Sequence, residues 1–97
     1  MADSKAAVSV KLARYLDAEG RLKSWPSKRS VQLEALRYLA GRLPTGVEWS
    51  ERELNEQLKS LATFGDWALL RRDLCDARWL DRSPDGRRYW RVPSSPG

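Results

Sequence analysis

Near its C-terminal end the chain sets a helical pattern and a tight hairpin back to back, and few folds accommodate that order. Asp66 suits the N-cap of a helix. Trp67, Leu70, Leu74 and Ala77 then fall at i, i+3, i+7 and i+10, on one helical face. At about 100° per residue, Arg72 lies about 200° from Leu70 and points to solvent; Ala68, Arg71, Cys75 and Arg78 flank it. Trp79-Leu80-Asp81-Arg82 and Arg88-Tyr89-Trp90-Arg91 read as strands around the turn Ser83-Pro84-Asp85-Gly86. Pro at i+1 and a glycine free to take positive φ fit a type I turn with a bulge. Arg82, Arg87 and Arg88 surround its tip. Helix, short strand, basic turn and return strand form the ending of a winged helix domain.

The segments upstream supply helices for that ending to pack against. A first helix is expected from Ser4 to Asp17, with Val8, Leu12, Tyr15 and Leu16 as its apolar stripe and Gly20 just past its end. The window Gly20 to Arg29 has no helical period and contains a Trp-Pro step, so it reads as a loop or short extended segment. A second helix starts near Ser27 to Ser30 and ends near Gly41; Leu36, Leu39, Ala40 and Leu43 form its face, extended by Val31 and Leu33. Pro44-Thr45-Gly46 breaks the chain. Val47-Glu48-Trp49, too short to stand alone, is placed to pair as a third strand with the C-terminal hairpin. Ser50-Glu51-Arg52-Glu53 is a capping box that opens a third helix, with Leu54, Leu58 and Leu61 as its stripe and Thr63-Phe64-Gly65 as its exit. The expectation is an α+β fold: a winged helix-turn-helix with an extra N-terminal helix and a C-terminal β-hairpin wing. It is a single domain over residues 4–92, followed by a flexible tail over 93–97, where prolines and serines accumulate.

Charge narrows the partner. The net charge is +5. Met1 to Arg29 holds seven Lys/Arg against three acids, Ser30 to Gly65 four against five, and Asp66 to Gly97 seven against five. The basic excess sits at the two ends, and the Gly20–Arg29 loop is the most basic window. That bias is compatible with a polyanion and also with a merely solvated basic surface. Five tryptophans in 97 residues are a further oddity. Large aromatic rings fill small cores, so at least three are expected inside, although they can also stack on bases.

Catalysis is not expected. The chain has no histidine, which removes the commonest general base and metal ligand. Its one cysteine, Cys75, has no histidine to activate it, excludes an internal disulfide and reads as a small helix residue. No glycine motif cradles a phosphate. Glu48, Glu51, Glu53 and Glu56 read as an exposed acidic helix start rather than metal ligands, so neither metal nor cofactor is expected. No stretch approaches the ~18 apolar residues of a membrane span, and Met1 to Ala7 is no signal peptide, so the expected location is the cytoplasm.

On this reading Arg71, Arg72 and Arg78 are the candidates for the groove of double-stranded DNA, and Arg82, Arg87 and Arg88 for its backbone or minor groove. Against it, Asp66, Asp73 and Asp76 share the helix with the arginines, and Arg72 and Asp76 are spaced to satisfy each other. A winged helix also serves as a protein-interaction module, here one acting on the transcription machinery.

Several motifs follow one another in a known order: Gly20-Arg21-Leu22 with Trp25-Pro26-Ser27-Lys28-Arg29; Trp49-Ser50-Glu51 with Glu53-Leu54-Asn55; Asp66 with Leu70-Arg71-Arg72-Asp73-Leu74; and Leu80-Asp81-Arg82 and Asp85-Gly86 with Tyr89-Trp90. Together, over about Tyr15 to Arg91, they resemble a bacterial domain family of uncharacterised function. That family occurs alone and attached behind helix-turn-helix regulators of the ArsR and MerR kinds. The resemblance implies a bacterial or phage origin and a link to transcription regulation. With no fused neighbour in this sequence, the domain is expected to act alone or by recruiting a partner. If the family motifs mark a site, it would be Arg21, Trp25, Lys28 and Arg29, with Arg71, Arg72 and Arg82: the cationic loop, brought against the paired arginines, would bind an anion, whether a DNA phosphate, a nucleotide-like effector or an acidic protein surface.

Overall fold

Ser50 shows how directly local sequence sets this fold. Its hydroxyl accepts from the Glu53 N–H at 3.1 Å, and the Glu53 carboxylate accepts from the Ser50 N–H at 2.8 Å. This closed capping box starts helix α3, Glu51–Leu61, whose buried side is Leu54, Leu58 and Leu61. The computed structural model describes residues 8–92. Expectations for Ser4–Ala7 and for the tail 93–97 lie outside the described residues.

The described residues form four helices and a three-stranded antiparallel sheet, a mixed α+β fold. Helix α1 is Val10–Ala13, α2 is Arg29–Ala40 and α4 is Trp67–Asp76. Strand β1 is Glu48–Trp49, β2 is Leu80–Arg82 and β3 is Tyr89–Arg91, in the spatial order β1-β3-β2. Trp49 pairs with Tyr89, and Arg82 with Tyr89 from the other side. The expected third strand is therefore present, paired to the return strand of the hairpin. Buried leucines from α1 to β2, with Trp49, Trp79 and Tyr89, make one continuous core. Trp25 and Trp67 pack half-buried against it.

The first helix is shorter than its apolar stripe predicts. Ser9 caps it, accepting from the Leu12 N–H at 3.0 Å, so the helix begins only after Ser9. Ser9 is itself fixed by Glu34 of α2, to which its N–H and hydroxyl donate at 2.8 and 2.7 Å. The helix then ends because its chain is needed elsewhere. Leu16 pairs with Leu22 in an isolated antiparallel bridge, and the Tyr15 carbonyl accepts from the Lys23 N–H at 2.8 Å. Gly20 is thus a turn residue rather than a helix cap. It holds φ +79°, and a Cβ there would lie 2.8 Å from the Tyr38 hydroxyl, which donates to the Gly20 carbonyl. Leu33, placed on the buried face of α2 by pattern, is 46% exposed instead, because α2 turns Val31, Ala35, Leu36, Leu39 and Ala40 inward.

The loop before α2 is bound down. Leu22 is fully buried. Its N–H donates to the Leu61 carbonyl and its carbonyl accepts from the Thr63 N–H, both at 2.8 Å. The loop therefore straps the end of α3.

Candidate nucleic-acid interface

Helix α4 packs against α3, α2 and β2, and its Leu70 and Leu74 are fully buried. Its entry is set by Gly65, at φ +94°, and by the Asp66 carboxylate, which accepts from the Leu69 N–H at 3.1 Å. Burial of the Leu70–Leu74 side leaves Ala68, Arg72 and Asp76 as the exposed stripe.

The paired arginines have separate fates. Arg71 turns back onto α3, where its guanidinium donates to the Asn55 side-chain oxygen at 2.6 Å and lies 3.5 Å from the Glu51 carboxylate. Only 17% of its side chain is exposed, so it braces the α3–α4 crossing. Arg72 is exposed and has no ion-pair partner among the described residues, Asp76 included.

Helix α4 ends in a Schellman motif. The Arg78 N–H donates to the Cys75 carbonyl and the Trp79 N–H to the Leu74 carbonyl, both at 3.0 Å. The left-handed position of that motif, ordinarily glycine, is held here by Arg78 at φ 68°. This reversal sends Trp79 and Leu80 into the core and leaves Arg78 exposed.

The β2–β3 turn is self-supporting. The Ser83 N–H donates to the Arg88 carbonyl and the Gly86 N–H to the Ser83 carbonyl, both at 2.9 Å, with Gly86 at φ +73°. The Asp85 carboxylate accepts from the Ser83 hydroxyl at 2.6 Å and the Arg87 N–H at 3.0 Å. These bonds, the Ser83 hydroxyl foremost, hold its carboxyl below the ordinary carboxylate range. Asp85 is therefore engaged with the turn itself. Arg82 and Arg87 are exposed without an ion-pair partner among the described residues, while Arg88 lies 3.5 Å from the Glu48 carboxylate across the sheet.

The Gly20–Arg29 loop is different. Arg21 is bound by Asp17, 2.9 Å from its Nε, and by Glu19, 3.1 Å from Nη2. Trp25 stacks on Phe64 at 6.1 Å, and Phe64 meets Trp67 at 6.4 Å, so the ring docks the loop on the start of α4. Arg29 donates to Gln32 at 3.0 Å and lies 3.8 Å from Asp73 of α4. Lys28 is exposed at the N-cap position of α2. The fold thus brings Trp25 and Arg29 to α4 and leaves Arg21 apart from it.

The acids of the α3 start are each engaged: Glu48 faces Arg88, Glu51 faces Arg71, Glu53 closes the capping box and Glu56 lies 3.2 Å from Lys59. Among the described residues no group of three or more His, Cys, Asp or Glu is placed to hold a metal ion. Burial pushes the Cys75 thiol above its ordinary value, against thiolate chemistry. Among the described residues no helix is long and apolar enough to cross a membrane.

The model of a family described as an uncharacterized protein conserved in bacteria, DUF2087, matches residues 21–91. The chain belongs to that family. No curated protein and no solved structure matches it. The DUF2087 region runs from the loop strap through α2, α3 and α4 to the end of β3, and so contains all ten of the arginine, lysine and tryptophan candidates.

Two features of the fold escape sequence reading. Arg91 of β3 donates to the Leu43 carbonyl at 3.2 Å and ties the sheet to the exit of α2. Lys11 and Arg14, together with Lys28, line a cleft of about 190 Å³ between α1 and the start of α2. Their i, i+3 spacing beside the Leu12 stripe was the available signal.

Proposed function

We propose that the chain is a small winged helix protein that binds double-stranded DNA through α4 and the β2–β3 wing, acts as a transcriptional regulator, and has no catalytic role. The order α2, β1, α3, α4, β2, β3, with strands arranged β1-β3-β2, supports the winged helix reading. The observation that carries the function is the set of unpaired guanidiniums. Arg72 on the exposed stripe of α4, Arg78 at its exit, and Arg82 and Arg87 around the wing have no carboxylate within ion-pair distance among the described residues. They follow one another along the elements that a winged helix lays on a duplex. An arginine free of internal partners can give its fixed fork of donors to phosphate or guanine. Arg71 belongs to the framework of this reading, since it fixes the angle of α4 on α3.

One observation favours the second reading, a protein-interaction module acting on the transcription machinery. The exposed stripe of α4 offers a single free arginine beside Ala68 and Asp76, a sparse surface for reading bases.

Fluorescence anisotropy of a labelled random duplex, titrated at about 50 and 200 mM salt, separates the two. Binding that weakens steeply with salt is the expected result. No binding at the lower salt overturns the DNA reading in favour of the protein partner.

A further inference from the structure

We propose that the cleft between α1 and the start of α2 is a phosphate-binding site formed by Lys11, Arg14 and Lys28. Three cations from two separate segments converge on its walls, with the hydroxyl-bearing side chains of Tyr15 and Ser27 between them and Val31 completing the lining. Among the described residues no carboxylate lines it. Elsewhere Arg21, Arg29, Lys59, Arg71 and Arg88 each have a carboxylate within 4.0 Å. Lys11, Arg14 and Lys28 have none among the described residues. Like charges gathered around a concave surface focus a positive field, and an anion is what relieves their repulsion.

The backbone adds to that field. Helix α2 carries a lysine at its N-cap, whose ammonium cannot accept, so the N-cap side chain makes no capping bond. The N–H groups of Arg29 and Ser30 have no acceptor among the described residues. A tetrahedral oxyanion satisfies both demands, because its oxygens accept from ammonium, guanidinium, hydroxyl and backbone N–H together. At about 190 Å³ the cleft suits one phosphate group rather than a whole nucleotide. Arg29, next to Lys28, reaches Asp73 of α4, so the cleft adjoins the proposed DNA face. The phosphate is either a backbone phosphodiester of bound DNA or the phosphoester of a small molecule. Only the first source rests on the DNA reading.

Two experiments on the full chain test this separately. In the first, backbone amide shifts are followed as inorganic phosphate is added, with potassium chloride at equal ionic strength as the reference. Saturable shifts confined to residues around 11–15 and 28–31, lost in the K11A/R14A/K28A variant, are expected. Shifts no larger than those in chloride, or centred on the wing, overturn the proposal. All three substituted residues are exposed, and circular dichroism of the variant verifies its fold. In the second, the salt dependence of duplex binding is compared between the wild type and that variant. A slope shallower by about 1 assigns the cleft to one DNA phosphate. An unchanged slope, with the phosphate response intact in the wild type, assigns it to a free phosphoester. A wild type that binds no duplex ends the DNA reading and leaves the phosphate titration to decide the site alone.

Discussion

Between α1 and α2, the Arg21 guanidinium lies against two carboxylates; around the β2–β3 turn, those of Arg82 and Arg87 lie within ion-pair distance of none among the described residues. Both segments are rich in cations, and both turn about an aspartate. Asp17 accepts from the Arg21 N–H at 2.8 Å and its guanidinium at 2.9 Å, so the cation beside the turn is consumed in closing it. Asp85 accepts from the Ser83 hydroxyl and the Arg87 N–H, so its turn closes without either arginine side chain. The same turn chemistry thus leaves the Arg21 guanidinium paired and those of Arg82 and Arg87 turned to solvent. The loop also buries Leu22 against α3, whereas the β2–β3 turn beyond Leu80 and before Tyr89 buries nothing. Local cation density does not equal charge available to a partner; the acids within reach decide that.

The sharpest way to break this contrast is through the strap. Leu22→Ala removes a fully buried side chain, and core truncations of this kind cost about 2–5 kcal/mol. Urea unfolding followed by tryptophan fluorescence reads the loss; a change below 0.5 kcal/mol would mean that the loop is not structural.

A second comparison lies within α4. Arg71→Ala deletes the brace to Asn55 and Glu51 and is expected to cost about 1–2 kcal/mol, in the range for a charge-assisted hydrogen bond that keeps some solvent. Arg72→Ala, which leaves an exposed side without internal partners, is expected to stay within about 0.5 kcal/mol of the wild type while weakening duplex binding. Equal stability losses at the two positions would contradict the separate roles assigned here.

The smallest effect has the opposite sign. Arg78 occupies a left-handed position, which costs a residue with a Cβ about 1 kcal/mol. Arg78→Gly is therefore expected to raise the unfolding midpoint slightly and to weaken duplex binding. A variant both more stable and equally tight on DNA would remove Arg78 from the interface.

Much of this fold was legible where the cause is local. Ser50 and Glu53 named the start of α3, Asp66 the start of α4, and Ser83-Pro84-Asp85-Gly86 the wing turn, because each signal is complete within four residues. Val47-Glu48-Trp49, too short to stand alone, pointed to pairing with the hairpin, but not to which of its strands. What was not legible depends on contacts across the chain. Leu22 sits between Arg21 and Lys23 with no apolar period, and its burial comes from hydrogen bonds to Leu61 and Thr63. Arg71 looks equivalent to Arg72 until α3 crosses α4 and presents Asn55 and Glu51. Arg21 carried a nearer signal, the Asp17 and Glu19 just before it, and loop acids of that spacing deserve weighing before a cation is counted as free. Lys11 and Arg14 became site candidates only when the short α1 was laid beside Lys28.

The central claim is that DNA-directed charge resides on α4 and the wing and not in the loop turn. The most direct test measures log affinity against log salt for one random duplex with the wild type, R72A/R82A/R87A and R21A. Each lost phosphate contact flattens the slope by about 0.9, so the triple variant is expected to be shallower by about 2–3 and R21A to match the wild type. A triple variant with the wild-type slope, or an R21A slope that falls as far, would contradict the account.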